Sequence, residues 1–403
     1  MAPLSVPSRT ASTFAPPVMQ ARRWLTETSL PADLPLINVS QAAPVDPPPP
    51  SLRAEIARVA LEEPQAHLYG PVLGLGALRD EVAEQWHTAY VPGSESADTK
   101  AIAEKNVAIT SGCNEAFCAT IATLLAEGDE VLLPVPWYFN HKMALDMIGG
   151  RAVALPTDQA MLPDIDAASQ LITERTRAIA LISPNNPTGV EYPPALIVAF
   201  FDLCQAHGLT LILDETYRDF HSSTAAPHDL FTRSDWADTL VQLYSFSKAY
   251  RLTGHRVGAM VASQSRLAEV EKYLDTVTIC PAQIGQYAAL WGMRNLGDWL
   301  AGERREILAR GQSIRQEIAP LTELGWKLRG AGAYFAYLDH PFDAPSDQIA
   351  QKLVQTAGVL MLPGTMFTPE NDMAGKRQMR VAFANLDRDG IGELIQRLVN
   401  FSQ

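Results

Sequence analysis

Several absences bound this chain. Its 403 residues include four cysteines, Cys113, Cys118, Cys204 and Cys280, and no CxxC pair. Scattered thiols in a chain of this length read as reduced and mostly buried, in a cytoplasmic setting rather than a disulfide-stapled secreted one. No apolar run is long enough to span a bilayer. Charged residues make up 19% and carry a formal net charge of −13, which argues against disorder and disfavours nucleic acid and anionic membranes as partners. No P-loop, HExxH or GxSxG motif is present, and Gly74-Leu-Gly76 lacks the third glycine of a dinucleotide turn. No His, Cys and carboxylate cluster supports a metal site.

What is present is apolar bulk. Residues of hydrophobic type make up 47%, enough for a large domain with a smaller one. The expected division is an arm and small-domain segment over 1–50, a large domain over 51–295 and a small domain over 296–403. Before Glu27 the chain has Arg9, Arg22 and Arg23 but no acid. That pattern admits a targeting segment or a flexible arm, and Pro3, Pro7, Pro16 and Pro17 favour the arm by breaking a helical pattern. A helix is expected from about Ser51, with Ser51 as its cap.

From Asn106 to about Met260 short apolar runs alternate with helical periods. Strands are expected at Val107–Thr110, Glu130–Pro134, Ala152–Leu155, Ala178–Ser183, Thr210–Asp214, Leu240–Ser245 and Val257–Ala262. Such alternation indicates an α/β fold with a mostly parallel sheet of seven strands covered by helices, in which ligands bind at strand carboxyl ends. Beyond Pro281 one long helix to about Ala319 leads into a smaller α+β unit.

The strand ends carry the chemistry. Ser245-Phe-Ser-Lys248 follows one strand, with Arg256 close behind. Two hydroxyls, a turn and an arginine make a phosphate cradle beside an amine suited to a Schiff base, although any single lysine is also a plain surface residue. Asp214 ends another strand, where it serves either a cationic ligand nitrogen or a helix cap; Tyr217 lies three residues on. Ser183-Pro-Asn-Asn-Pro-Thr-Gly189 is a tight turn that can aim Asn186 inward. Thr110-Ser-Gly112-Cys113-Asn114 is a strand-to-helix turn whose amides suit a phosphate. Trp137, Tyr138 and Phe139 offer aromatic faces, with at most one or two free to stack and the rest core.

In this order, with Tyr69-Gly-Pro-Val-Leu-Gly74 ahead of them, the motifs resemble the class I, fold-type I pyridoxal-phosphate aminotransferases from Ile37 to the C-terminus. The resemblance implies pyridoxal 5'-phosphate as cofactor and ping-pong transfer of an amino group between an α-amino acid and a 2-oxo acid. It implies that Lys248 holds the cofactor as a Schiff base and then moves protons. Asp214 would pair with the ring nitrogen, Asn186 and Tyr217 would donate to the ring hydroxyl, and Tyr138 would stack. His141 would back the aspartate from behind. Gly112, Cys113, Asn114, Ser245, Ser247 and Arg256 would hold the phosphate, and Arg380 the substrate carboxylate, near Asn186 and Ala43. Tyr69 would reach the partner's cofactor in a homodimer with shared active sites. A β-lyase of the C–S lyase type is the alternative on the same fold. Ala42-Ala43, His255 and Cys113 depart from the family pattern, so the substrate side chain is open. Trp137, Tyr334 and the lack of an assignable second arginine direct the expectation to an apolar, aromatic or sulfur-containing one.

Overall fold

A computed structural model describes residues 8–28, 30, 34–91 and 101–403. Its main sheet uses β2 (Val107–Thr110), β3 (Glu130–Pro134), β4 (Arg151–Leu155), β5 (Thr176–Ile182), β6 (Thr210–Asp214), β7 (Leu240–Ser245) and β8 (Gly258–Val261), following a two-residue β1 (Ile37–Asn38). The strand order is β2-β8-β7-β6-β5-β3-β4. Only β8 runs antiparallel to its neighbours β2 and β7. β2, β3, β6, β7 and β8 are buried along their whole length, because helices cover both faces, whereas the edge strand β4 is largely open. That burial explains why these strands read as continuous apolar runs.

The second unit is a four-stranded antiparallel sheet, β12-β13-β10-β9, made of β9 (Lys327–Gly332), β10 (Phe335–Asp339), β12 (Leu362–Pro363) and β13 (Gln378–Val381). Beside it β1 pairs in parallel with β11 (Val359–Leu360), so the chain's start is joined to its end. Ala21, Trp24, Ile37 and Val39 share a core with Ile314, Trp326, Leu353, Phe367 and Leu394.

Three expectations change. The expected arm contains a helix, Pro17–Glu27, with Ala21 and Trp24 buried. Pro17 does not break it because proline at the first helical position lacks only an N–H that has no intrahelical partner there. Pro3 and Pro7 lie outside the described residues. The long helix after Pro281 is three helices, Gln283–Asn295, Gly297–Glu317 and Ala319–Glu323. The helix near Ser51 starts one residue earlier, at Pro50, and has no side-chain cap.

The two units meet backbone to backbone. Gly189, in the turn that carries Asn186, sits at φ +73°, and a Cβ there would lie 2.3 Å from the Phe335 carbonyl oxygen and 2.5 Å from the Gly332 nitrogen. Gly189→Ala should therefore destabilise the fold by about 1–3 kcal/mol through overpacking and left-handed strain. A urea titration checks this; an unchanged midpoint would show that the contact can relax freely.

Candidate active site

The parallel strands end at one edge of the sheet, and each end there delivers a loop residue. β2 leads to Gly112, β3 to Tyr138, β5 to Asn186, β6 to Asp214 and β7 to Lys248. Because β8 runs the other way, Arg256, two residues before it, arrives at the same edge. Tyr138, Asn186, Asp214, Lys248 and Arg256 face a cavity of about 410 Å³.

Lys248 ends the short helix Phe246–Ala249, and its Nζ donates to the Ala42 carbonyl at 2.6 Å. Burial, then the Arg380 and Arg256 guanidinium groups, push its amine down to about 8. Asp214 is 3% exposed, with Oδ2 3.4 Å from His141 Nε2 and Oδ1 accepting from the Thr216 amide at 2.9 Å. The His141 ring is stacked on Phe117 at 3.7 Å between centroids, which fixes its plane. Tyr138 lies on the cavity wall, its hydroxyl donating to Asn114 Oδ1 at 3.3 Å and accepting from Asn140 Nδ2 at 2.8 Å.

Arg380 on β13 is 2% exposed. Its Nη1 donates to Asn186 Oδ1 at 2.9 Å and its Nη2 to the Ser40 carbonyl. Phe335 and Phe367 stand 4.9 Å from the guanidinium carbon. Burial pushes this arginine down to about 10, against the opposing influence of Tyr217, Tyr138 and Tyr337. Its Nε has no hydrogen-bond partner among the described residues.

The phosphate-type cradle is tightly built. Gly112 has φ +90°, and a Cβ there would lie 2.2 Å from Arg256 Nη2, so only glycine lets the guanidinium close on the turn. The helix Cys113–Leu124 starts at that point, presenting first-turn amides. Arg256 Nη1 donates to Ser247 Oγ at 3.4 Å, and Ser245 Oγ accepts from the Ser247 amide at 3.3 Å. Lys248, Arg256 and Arg380 are the cations among the described lining residues, and Asp214 the carboxylate. This polarity, the amide-rich cradle and the orphaned Arg380 Nε fit an anionic, planar cofactor and a carboxylate substrate.

A family model for "Aminotransferase class I and II" matches residues 35–398. The chain belongs to this family. Its members are pyridoxal-phosphate enzymes, and this aminotransferase is 27% identical to an aspartate aminotransferase of Pyrococcus abyssi over 340 residues, 82% of each chain. It is 28% identical to a methionine aminotransferase of Escherichia coli over 360 residues, 86% of this chain and 88% of that one. In fold it resembles a putative kynurenine aminotransferase of Saccharomyces cerevisiae, with TM-score 0.87 at 20% identity over 99% of both chains.

Of the residues singled out from sequence, Lys248, Asp214, Tyr217, Cys113, Asn114, Tyr138, Asn186, Ser245, Ser247, Arg256, Arg380 and Ala43 line the cavity of this aminotransferase. Gly112 stands behind Arg256, and His141 behind Asp214. Tyr69 is 81% exposed and lies on a separate surface recess beside Cys280 and Gln283. Trp137 and Tyr334 do not line the cavity. The Trp137 ring is buried in the core, and the Tyr334 hydroxyl faces the Lys248 carbonyl at 3.5 Å. Val18, Gln41, Asn140, Thr216 and Phe335 line it without having been singled out; Val18 comes from the unexpected N-terminal helix.

Glu215 was also missed. It is fully buried behind Asp214, accepting from Tyr90 Oη at 2.6 Å and from Gln242 Nε2, and facing His228 Nε2 at 3.4 Å. Strand alternation, which turns successive side chains to opposite faces, was the available signal. Burial pushes its carboxyl up, but His228, Tyr90 and Arg218 outweigh that and hold it at about 2. A carboxyl that ordinarily titrates at 4.5 and is held at about 2 in the fold stabilises the protein above pH 4.5. That contribution fades as pH falls towards 2. Glu215→Ala should destabilise by about 3 kcal/mol or more, since it orphans several buried donors. The variant should also lose this acid dependence, as read by urea titrations across pH; an unaltered acid limb would remove Glu215 from the account.

Proposed function

We propose that this aminotransferase holds pyridoxal phosphate on Lys248 and exchanges amino groups between an α-amino acid with an uncharged side chain and a 2-oxo acid. The observation that carries the reading is the meeting of one depressed amine, one buried carboxylate and two guanidinium groups in a single cavity. When bound, the cofactor supplies an electron-withdrawing ring conjugated to the substrate nitrogen, which makes the Cα proton removable.

The protein's own residues would do the rest. With its amine near 8, Lys248 Nζ can take a proton from the substrate Cα and return it at neutral pH, which a free lysine cannot do efficiently. Asp214, backed by His141, would hold the ring nitrogen's proton. Asn186 and Tyr217 would donate to the ring hydroxyl, and Tyr138 would cover the ring face. Gly112, Cys113, Asn114, Ser245, Ser247 and Arg256 would bind the phosphate. Arg380 would grip the substrate carboxylate with its fork, close to Asn186 and Ala43. With Arg256 and Arg380 so used, the cavity's other walls are neutral: Val18, Phe139, Gln41 and Asn140. This lining supports an uncharged side chain, although the residues that first suggested one, Trp137 and Tyr334, are not part of it.

The division into 51–295 and 296–403, with 1–50 joining the latter, is supported by separate cores of residues on either side. The outward Tyr69 and Leu68, 81% and 56% exposed, support a homodimer in which Tyr69 reaches the partner's phosphate site. Among the described residues no helix is long and apolar enough to cross a membrane, and all four cysteines are free; both facts agree with a cytoplasmic enzyme.

Borohydride treatment of the loaded protein should fix the pyridoxyl label on Lys248 by peptide mapping, and Lys248→Ala should abolish multiple turnover. Sustained turnover in that variant would end the assignment. Asp214→Asn should still bind cofactor but lose about two or more orders of magnitude in kcat.

The rate at which cofactor-free protein takes up pyridoxal phosphate should rise with pH through about 8, because the neutral amine is the nucleophile. Arg380→Met should move that midpoint upward by removing a nearby cation. A midpoint near 10.5, the ordinary lysine value, would contradict the electrostatics. A screen of single amino acids against the loaded protein, read by loss of its visible absorbance, tests the side-chain class; preference for aspartate or glutamate would overturn it.

A further inference from the structure

Residues 38–43 cross the cavity as a strap between β1 and the helix at Pro50. Two of its carbonyls hold two of the site's three cations. The Ser40 carbonyl accepts from Arg380 Nη2, and the Ala42 carbonyl from Lys248 Nζ at 2.6 Å. Its Gln41 and Ala43 side chains face the cavity. Beyond Val39 the strap leaves regular pairing. Val39 bonds to Leu360 and Ala382 through its backbone, but Gln41 to Ala43 belong to no strand or helix. A segment of this kind keeps its carbonyls in place only if something outside it does the holding.

Among the described residues Arg22 Nη2 donates to the Gln41 side chain at 2.8 Å, and Asn385 holds the strap's backbone. Asn385 Nδ2 donates to the Gln41 carbonyl at 2.7 Å and to the Asn38 carbonyl at 3.2 Å, while its Oδ1 accepts from the Ala43 amide at 3.4 Å. The orientation of the amide is forced, since two carbonyls require the nitrogen and a backbone N–H requires the oxygen. Asn385 stands in the short 3-10 turn Phe383–Asn385 that follows β13, five residues after Arg380. The strand that supplies the guanidinium thus leads into the turn that clamps the strap on either side of Ser40, whose carbonyl accepts from that guanidinium.

We propose that Asn385 is a positioning residue: its amide fixes the strap so that the Ser40 and Ala42 carbonyls aim Arg380 and Lys248 into the cavity. This rests on the reading of Arg380 as the carboxylate grip. Loss of the clamp should weaken binding of the amino donor more than it slows the chemistry: in the loaded protein Lys248 would be held by the cofactor as well as by the Ala42 carbonyl, whereas Arg380 would lose the aim of the Ser40 carbonyl, and Asp214 and its backing lie elsewhere.

The test uses the cofactor-loaded protein with Asn385→Ala and Asn385→Asp. Hydrogen exchange at the amides of residues 40–43 should accelerate by about tenfold or more in both, with β6 unchanged. KM for the amino donor should rise about tenfold, with kcat within about threefold of wild type. The aspartate variant should be the worse of the two, since it sets a carboxylate against two carbonyl oxygens.

Unchanged exchange would overturn the clamp, and faster exchange with an unchanged KM would overturn its positioning role. A loss confined to kcat would overturn it as well. Arg380→Lys, measured in parallel, separates the two ideas. If it leaves KM unaltered, the carboxylate reading fails, and with it the proposal's route to KM. If it raises KM and the Asn385 variants do not, the positioning proposal alone fails. A double variant with Arg380→Lys should raise KM by less than the product of the single effects.

Discussion

Burial of cations close to one another governs this site, with their mutual repulsion adding to it. The chain carries a net charge of −13, yet its cavity is lined by Lys248, Arg256 and Arg380 against the single carboxylate of Asp214. Gathering like charges where water is scarce is unfavourable unless anionic ligands or a lost proton relieve it. The amine of Lys248 yields, falling to about 8 through burial and the nearby Arg380 and Arg256 guanidinium groups. The same burial that lowers the lysine's proton affinity sets it beside two guanidinium groups, so the cavity favours anions.

Two packing devices let the cations approach. The antiparallel β8 returns the chain so that Arg256 reaches the edge where parallel strands deliver Gly112, Asp214 and Lys248. At Gly112 the absence of a Cβ gives the guanidinium its seat. On the far side, Gly189 abuts Gly332 and Phe335 of the smaller unit, so the loop bearing Asn186 and the strand bearing Arg380 meet rigidly. The donor from one domain and the acceptor from the other are thus held as one surface.

Behind the reacting face the polar groups are stiff. Asp214 has His141, itself stacked on Phe117, and the next residue, Glu215, is tied to Tyr90, Gln242 and His228 in the interior. Arg218 lies over the Trp86 ring with its carbon 3.8 Å from the centroid. A strand end tied on both sides holds the Asp214 carboxylate in one orientation. Strap and clamp extend that logic to the other wall, where regular hydrogen bonding is lacking.

The sequence alone determined the parallel sheet, the residues at its strand ends and the family to which they point. Continuous apolar runs, turns rich in glycine and proline, and the order of Lys248, Asp214 and Asn186 are local properties, legible because strand burial and turn chemistry act over a few residues. Contacts between distant segments were not legible. Proline at the start of a helix and proline within one look alike until the helix has a core to pack on, so the Pro17–Glu27 helix was missed and with it Val18. Trp137 was taken for a pocket wall because an aromatic at a strand end can face either way. Only the tertiary structure turned it into the core, placed Glu215 opposite Asp214 in a closed polar network, and set Asn385 against residues 38–43. Those decisions depend on which distant segments pack against each other, and no window of sequence contains both partners.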